Sequence, residues 1–353
     1  MLGALDCLGN PSSVHAEGRR ARDLIEEARE AIEAFVSAPA RSVVFTSGGT
    51  EANNLALLGA PAERLIVSAV EHPSVLEAAR RSGKPVTVLP VDSDGIVDLS
   101  ALDRALAEGG RALVSVMLAN NETGAIQPIA EVVKLARRHG ALVHTDAVQA
   151  AGKIEVSFEA FGVDLMSLSA HKLGGPAGVG ALVLRDGLDI EARQLGGGQE
   201  FRRRAGTENV AGIAGFGAAV KAAARELPEA SLRMSDLRAS LEAALAEGPD
   251  RAHIFAKGAK RLPNTSCLAV RGLDAALLLM GLDLEGIAVS SGSACSSGKV
   301  AASHVLDAMG VEPELARGAI RLSLGWNSTA EDVGRFISGW RTFMGRMDSR
   351  RAA

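Results

Sequence analysis

Lys172 closes the tetrapeptide Ser169-Ala170-His171-Lys172, directly after an apolar run at 165–168. A lysine at a strand end can form a Schiff base with an aldehyde. Asp146 and Gln149 follow a second apolar run, 142–144, and a buried carboxylate there could keep a ring nitrogen protonated. His72, in Glu71-His72-Pro73, could stack on an aromatic ring. Thr46-Ser47-Gly48-Gly49-Thr50-Glu51 opens a helix. Its glycines let backbone approach a phosphate, the helix start offers unpaired N–H groups, and Thr50 adds a hydroxyl. No Gly-Lys-Ser/Thr follows, so this is not a Walker loop. Taken singly, each feature has a plainer reading: a tight turn, a structural histidine, a helix N-cap at Asp146, a solvated charge at Lys172. Taken together they describe a site for an aldehyde, a pyridine and a phosphate, which is pyridoxal 5′-phosphate.

A second constellation lies far along the chain. Ser290-Ser291-Gly292-Ser293-Ala294-Cys295-Ser296-Ser297-Gly298 is small, polar and reads as a surface loop with one thiol, suited to a nucleophile or acceptor. Cys267, within Thr265-Ser266-Cys267-Leu268-Ala269-Val270, reads as core, and Cys7 as incidental. Arg321 sits in the apolar run Ala319-Ile320-Arg321-Leu322-Ser323-Leu324. A buried guanidinium wants a carboxylate, from a substrate or from the protein.

These residues must be held by a scaffold. Leu24, Ile25, Ala28, Ile32 and Phe35 recur at helical spacing within 16–38. Apolar runs at 42–45, 65–67, 113–117, 142–144, 165–168 and 180–184 then alternate with helical patterns near 50–58, 73–81, 99–108, 128–138 and 209–226. That alternation predicts a mostly parallel sheet with helices on both faces. Ligands of such a sheet gather at the carboxyl ends of the strands. Five successive strand ends carry the residues above, with Asn120-Asn121-Glu122 after the third run. Leu227-Pro228 predicts a domain boundary, followed by an α+β pattern: helices near 229–246, 274–281, 300–309 and 330–345, and strands at 265–270 and 287–290.

Composition narrows the function classes. The 353 residues carry 38 basic and 42 acidic side chains, a net charge of −4, which argues against a nucleic-acid partner. Arg202-Arg203-Arg204 beside Glu200 reads as a structural cluster instead. No apolar run is long enough for a membrane span and no signal peptide follows Met1, so the expected address is cytoplasmic. Three cysteines without clustered spacing exclude a disulfide framework and a zinc site, and no resident metal is expected.

The chain resembles the cysteine desulfurases of the NifS/IscS kind, in the class V aminotransferase group of pyridoxal-phosphate enzymes. The resemblance rests on Thr46 through Glu51, Asn120-Asn121-Glu122-Thr123-Gly124, Ser169 through Lys172, Gly206-Thr207-Glu208-Asn209, and Ser290 through Cys295. It implies the fold type I of these transferases: a seven-stranded, mostly parallel sheet in a large domain, 12–228, and a smaller α+β domain, 229–353, with residues 1–11 against the smaller one. It implies that Lys172 is the Schiff-base lysine and proton shuttle, that Asp146 partners the pyridine nitrogen, and that Gln149 donates to the phenolic oxygen. His72 resembles the residue that stacks on the ring and handles protons. Gly49, Thr50, Ser169 and His171 resemble phosphate ligands, and Thr207 the threonine that reaches the neighbouring subunit's phosphate in a homodimer. Asn121, also counted near the cofactor, and Arg321 resemble the substrate-carboxylate clamp.

By the same resemblance, Cys295 carries sulfur from L-cysteine as a persulfide, leaving L-alanine. The acceptor would be an iron–sulfur scaffold or a tRNA-thiolation protein, with no direct nucleic-acid contact, and Cys295 could transiently ligate an iron–sulfur cluster. The Ser-Ser-Gly-Ser-Ala-Cys form resembles the long-loop group of the family. Only eight residues precede Gly9, where the family usually has a strand and an Ala-Thr-Thr-Pro turn, so the resemblance implies weak turnover for the chain as numbered. The alternatives are a selenocysteine lyase or aminotransferase of the same class, a weakly active sulfur-transfer protein, and a nucleotide-binding oxidoreductase. The last lacks a Gly-x-Gly-x-x-Gly turn after the first strand.

Overall fold

The computed structural model describes residues 1–7, 9–247, 252–291 and 303–351. They form two compact units. The first comprises Met1–Pro90, Val97–Ala119 and Gln127–Leu227; the second comprises Val91–Ile96, Asn120–Ile126 and Pro228–Ala353.

The first unit is built on seven strands: β1 (Val43–Thr46), β2 (Arg64–Ser68), β3 (Val86–Leu89), β4 (Ala112–Ser115), β5 (Leu142–Asp146), β6 (Leu165–Ser169) and β7 (Gly180–Leu184). Their spatial order is β1-β7-β6-β5-β4-β2-β3. The pairs from β3 through β6 are parallel, and β7 runs antiparallel to both β6 and β1. Apolar runs without alternation become central strands because helices cover both sheet faces. Strands β1, β4, β6 and β7 are buried at every position. The edge strand β3 escaped the sequence reading: four residues between Pro85 and Pro90, with Val86 and Val88 exposed. The long helix Gly49–Gly59 lays Leu55, Ala56 and Leu57 on the sheet beside Val44, Leu65, Leu113 and Leu165.

His144 ties the middle of the sheet together. Its ring nitrogens meet Ser115 Oγ of β4 at 2.8 Å and Ser167 Oγ of β6 at 2.9 Å. Full burial pushes its pKa down to about 3, so the ring is a neutral cross-strand clamp. It lies two residues before Asp146 and fixes the strand that presents that carboxylate.

The second unit holds a four-stranded sheet of β8 (His253–Ile254), β9 (Thr265–Ala269), β10 (Ser290–Ser291) and β11 (Ile320–Ser323), in the order β10-β11-β9-β8 and wholly antiparallel. Leu268, Leu278, Leu282, Ile320, Phe336, Trp340 and Phe343 form its core. Cys267 is fully buried on β9, as its apolar neighbours predicted, and burial pushes its thiol well up. Pro228 does not break the chain into two helices: one helix runs Val210–Leu245 through it. The proline leaves the Ala224 carbonyl without its intrahelical N–H, and a helix tolerates this when packing outweighs the loss of roughly 3 kcal/mol. Among the described residues no helix is long and apolar enough to cross a membrane.

Candidate active site

At one edge of the large sheet, the carboxyl ends of β1, β2, β5 and β6 deliver four short polar segments. After β1, the helix Gly49–Gly59 starts at Gly48 with no side chain capping it, which leaves N–H groups of the first turn available to an anion. The turn must approach other backbone closely. A Cβ on Gly180 would lie 2.6 Å from the Gly48 carbonyl carbon and 2.7 Å from Leu168 O, and one on Gly49 would lie 2.8 Å from Val148 Cγ2. Glu51 steadies the turn. It accepts from the Ser47 N–H at 2.7 Å and pairs with Arg204 at 2.8 Å, and these bonds hold its pKa below the usual value against partial burial. The arginine run therefore serves the site's framework through Arg204.

After β2, His72 is the N-cap of the helix Pro73–Arg80, with proline at the first helical position. Its Nδ1 accepts from the Ser74 N–H at 3.1 Å and meets Ser74 Oγ at 2.7 Å. After β5, Asp146 is buried. Its Oδ1 accepts from the Val148 N–H at 2.9 Å and its Oδ2 from Asn53 Nδ2 at 2.7 Å. Asn53 Nδ2 also donates to Ser74 Oγ at 2.9 Å. Burial raises the pKa of Asp146, opposed by these hydrogen bonds and by the charges of His72 and Lys172. Gln149 is half-buried in the turn that follows.

After β6 comes a 3-10 turn, Ala170–Leu173, carrying His171 and Lys172. Ser169 Oγ lies 3.0 Å from His171 Nδ1. The pKa of His171 is lowered, by burial first and then by Lys172 and Lys153. Lys153 Nζ donates to the Lys172 carbonyl at 2.7 Å, and its own pKa is pulled down to about 8, mainly by burial and further by Lys172. Thr207 is exposed in the segment between Glu200–Arg202 and the helix that starts at Val210.

Two predicted residues belong to the second unit. Asn121 lies in Asn120–Ile126, and Arg321 is on β11. Arg321 Nη1 donates to the Asn121 carbonyl at 2.8 Å. Arg321 Nε and Asn121 Oδ1 are buried with no hydrogen-bond partner among the described residues, as a pair awaiting a polar ligand would be. Next to them, Ser303 Oγ donates to Glu122 at 2.5 Å. Cys295 lies outside the described residues.

Sequence reasoning missed Asn53, Ser74, Lys153 and the role of Glu71. Glu71 is fully buried, and its Oε1 accepts from the Met117 N–H at 2.6 Å. Burial, with a further push from Asp146, raises its pKa well above the carboxylate range. A carboxyl raised on folding makes the folded chain the better proton binder. Stability is therefore lost as pH rises from the unfolded value, about 4.3, toward the raised one. Glu71→Gln keeps the acceptor for Met117 and removes the titration. Its melting temperature is expected to equal the parent's near about pH 4 and to exceed it increasingly toward about pH 8. Scanning calorimetry at both pH values checks this, and a constant difference would contradict it.

The class-V aminotransferase family model matches residues 4–336. The cysteine desulfurase IscS of Dictyoglomus turgidum is 44% identical over 92% of this chain and 84% of its own length. The IscS-like cysteine desulfurase of Mycobacterium tuberculosis is also 44% identical, over 92% of this chain and 87% of its own. Among solved structures, the NifS-like protein from Rickettsia africae superposes with a TM-score of 0.90 at 36% identity, covering 98% of this chain and 94% of the other.

Proposed function

This chain belongs to the class-V aminotransferase family and is a cysteine desulfurase, and from that premise we propose that Lys172, His72 and Cys295 carry the reaction with pyridoxal phosphate held in the first unit. The observation that carries the reading is the convergence of an uncapped helix start, a buried hydrogen-bonded carboxylate, a capping histidine and a lysine on one sheet edge. The residues fit the cofactor: the turn that would cradle its phosphate is uncapped, and a Cβ on Gly49 or Gly180 would crowd it.

When bound, pyridoxal phosphate supplies an aldehyde for the substrate amino group and a protonated ring that withdraws electrons from the bonds around Cα. The N–H groups of Gly49 and Thr50, with the side chains of Thr50, Ser169 and His171, hold the phosphate. Asp146 keeps the proton on the ring nitrogen, and Gln149 donates to the phenolic oxygen. The imidazole of His72 covers the ring face and handles the substrate's thiol proton. Lys172 Nζ would hold the cofactor's aldehyde and would move the proton at the substrate Cα. Arg321 and Asn121 take the substrate carboxylate, Arg321 through the Nε that lacks a hydrogen-bond partner among the described residues. The Cys295 thiolate attacks the substrate sulfur. The C–S bond breaks, the S–S bond forms, and L-cysteine plus the thiol become L-alanine plus a persulfide. Lys153, donating to the Lys172 carbonyl, holds the 3-10 turn that aims the lysine.

We infer a homodimer in which Thr207, exposed between Glu200–Arg202 and the helix that starts at Val210, reaches the neighbouring cofactor's phosphate. The persulfide would pass to an iron–sulfur scaffold or a tRNA-thiolation protein. A plain aminotransferase is disfavoured by the cysteine in the 290–298 segment, which such chemistry does not need. The test is the visible spectrum of the purified protein before and after L-cysteine, with alanine quantified and the persulfide mapped. A yellow protein that releases alanine and carries the extra sulfur on Cys295 is expected. Absent absorbance, or sulfur on Cys267 or Cys7, would overturn the assignment.

A further inference from the structure

Two obligate donors orient the hydrogen-bond chain behind the site. The Ser74 backbone N–H can only donate, and it points at His72 Nδ1, 3.1 Å away. That nitrogen must therefore present a lone pair. Asn53 Nδ2 likewise only donates, and its two hydrogens go to Asp146 Oδ2 at 2.7 Å and Ser74 Oγ at 2.9 Å. With its oxygen already accepting, the Ser74 hydroxyl has its single hydrogen free for His72 Nδ1 at 2.7 Å. The amide orientation follows from charge, since turning it round would set Asn53 Oδ1 against a carboxylate. In the present orientation Asn53 Oδ1 is the atom left buried without a hydrogen-bond partner among the described residues.

We propose that Asn53 and Ser74 are positioning residues that lock His72 as the Nε2-protonated tautomer and tie that lock to Asp146, so that the resting imidazole offers the substrate an Nε2–H donor and takes up a proton only by displacing the Ser74 contacts at Nδ1. The chain runs from the carboxylate through Asn53 and Ser74 to the imidazole, and it joins the carboxyl ends of β5 and β2 by way of the helix Gly49–Gly59. Both ends serve the reaction on the reading above, on which the catalytic consequence rests; the tautomer itself does not. If Asp146 gains a proton, Asn53 is free to turn, Ser74 loses its orienting donor, and the hold on His72 Nδ1 weakens. A proton added at Nδ1 would face the Ser74 N–H head-on, so the locked ring resists becoming imidazolium. The charged groups bearing on this pair are Glu71 beside His72, and Lys172, which acts on Asp146.

The test is nitrogen NMR of the purified holoenzyme with ¹⁵N-labelled histidine, the His72 signals being assigned by their loss in His72→Gln. The parent is expected to show a neutral ring with bare Nδ1 and protonated Nε2. Ser74→Ala and Asn53→Leu are each expected to raise the midpoint of His72 protonation by about half a pH unit or more, the size of one ordinary hydrogen bond. Ser74→Ala removes only an oxygen, so it reports even if Asn53→Leu fails to fold. Nδ1 protonated in the neutral parent ring, or an unmoved midpoint in Ser74→Ala, would overturn the proposal. Failure of the functional reading is separately visible. Asp146→Ala that keeps full cofactor affinity and turnover would sink the role of Asp146 while leaving the measured tautomer of His72 intact.

Discussion

Lys172→Ala is expected to lose both the Schiff base with the cofactor and nearly all release of alanine from L-cysteine. Lys172 combines two jobs on one nitrogen, holding the aldehyde and moving the Cα proton. Loss of the proton transfer alone costs about 10²–10⁴-fold in rate. Its place on the 3-10 turn after β6, with its carbonyl held by Lys153, gives the side chain a defined origin that no neighbouring lysine shares. Lys153 cannot substitute, because its ammonium is engaged at that carbonyl. Borohydride reduction of the parent followed by peptide mapping should place the cofactor on Lys172. Label on Lys153, or turnover that survives in Lys172→Ala, would contradict the assignment.

Cys295→Ala is expected to separate cofactor chemistry from sulfur transfer. The variant should remain yellow and should still change its spectrum with L-cysteine, because the groups proposed to hold the cofactor belong to the first unit. Persulfide formation should fall to background. Neither remaining thiol is a replacement: Cys267 is fully buried, with its thiol pushed up by burial and by Glu122, and Cys7 lies in the N-terminal segment. Radiolabelled L-cysteine with peptide mapping reads the outcome. Loss of cofactor binding in this variant would show that the cysteine segment is structural.

The sequence alone determined where chemistry would gather. Apolar runs followed by Gly48-Gly49, His72, Asp146 and Lys172 point to strands ending at one edge, because parallel strands put their carboxyl ends together. The core position of Cys267 was equally legible, since Leu268, Ala269 and Val270 follow it directly in an apolar run. Tertiary structure alone decided how those groups are set. Asn53 and Asp146 are 93 positions apart and Asn53 and Ser74 are 21 apart, so no local pattern could reveal the bonds that join them. Within its own helix Asn53 is one of two adjacent asparagines; Nδ2 of Asn53 reaches Asp146, while that of Asn54 bonds the Thr50 carbonyl. The edge strand β3 was hidden because half-exposed residues between prolines carry little apolar signal. Pro228 marks where the two units divide but does not end the helix, because the penalty for an interior proline is finite and packing can exceed it. The resemblance already paired Asn121 with Arg321; the bond that joins them across 200 residues uses a backbone carbonyl, an acceptor that every residue carries and that sequence therefore cannot single out.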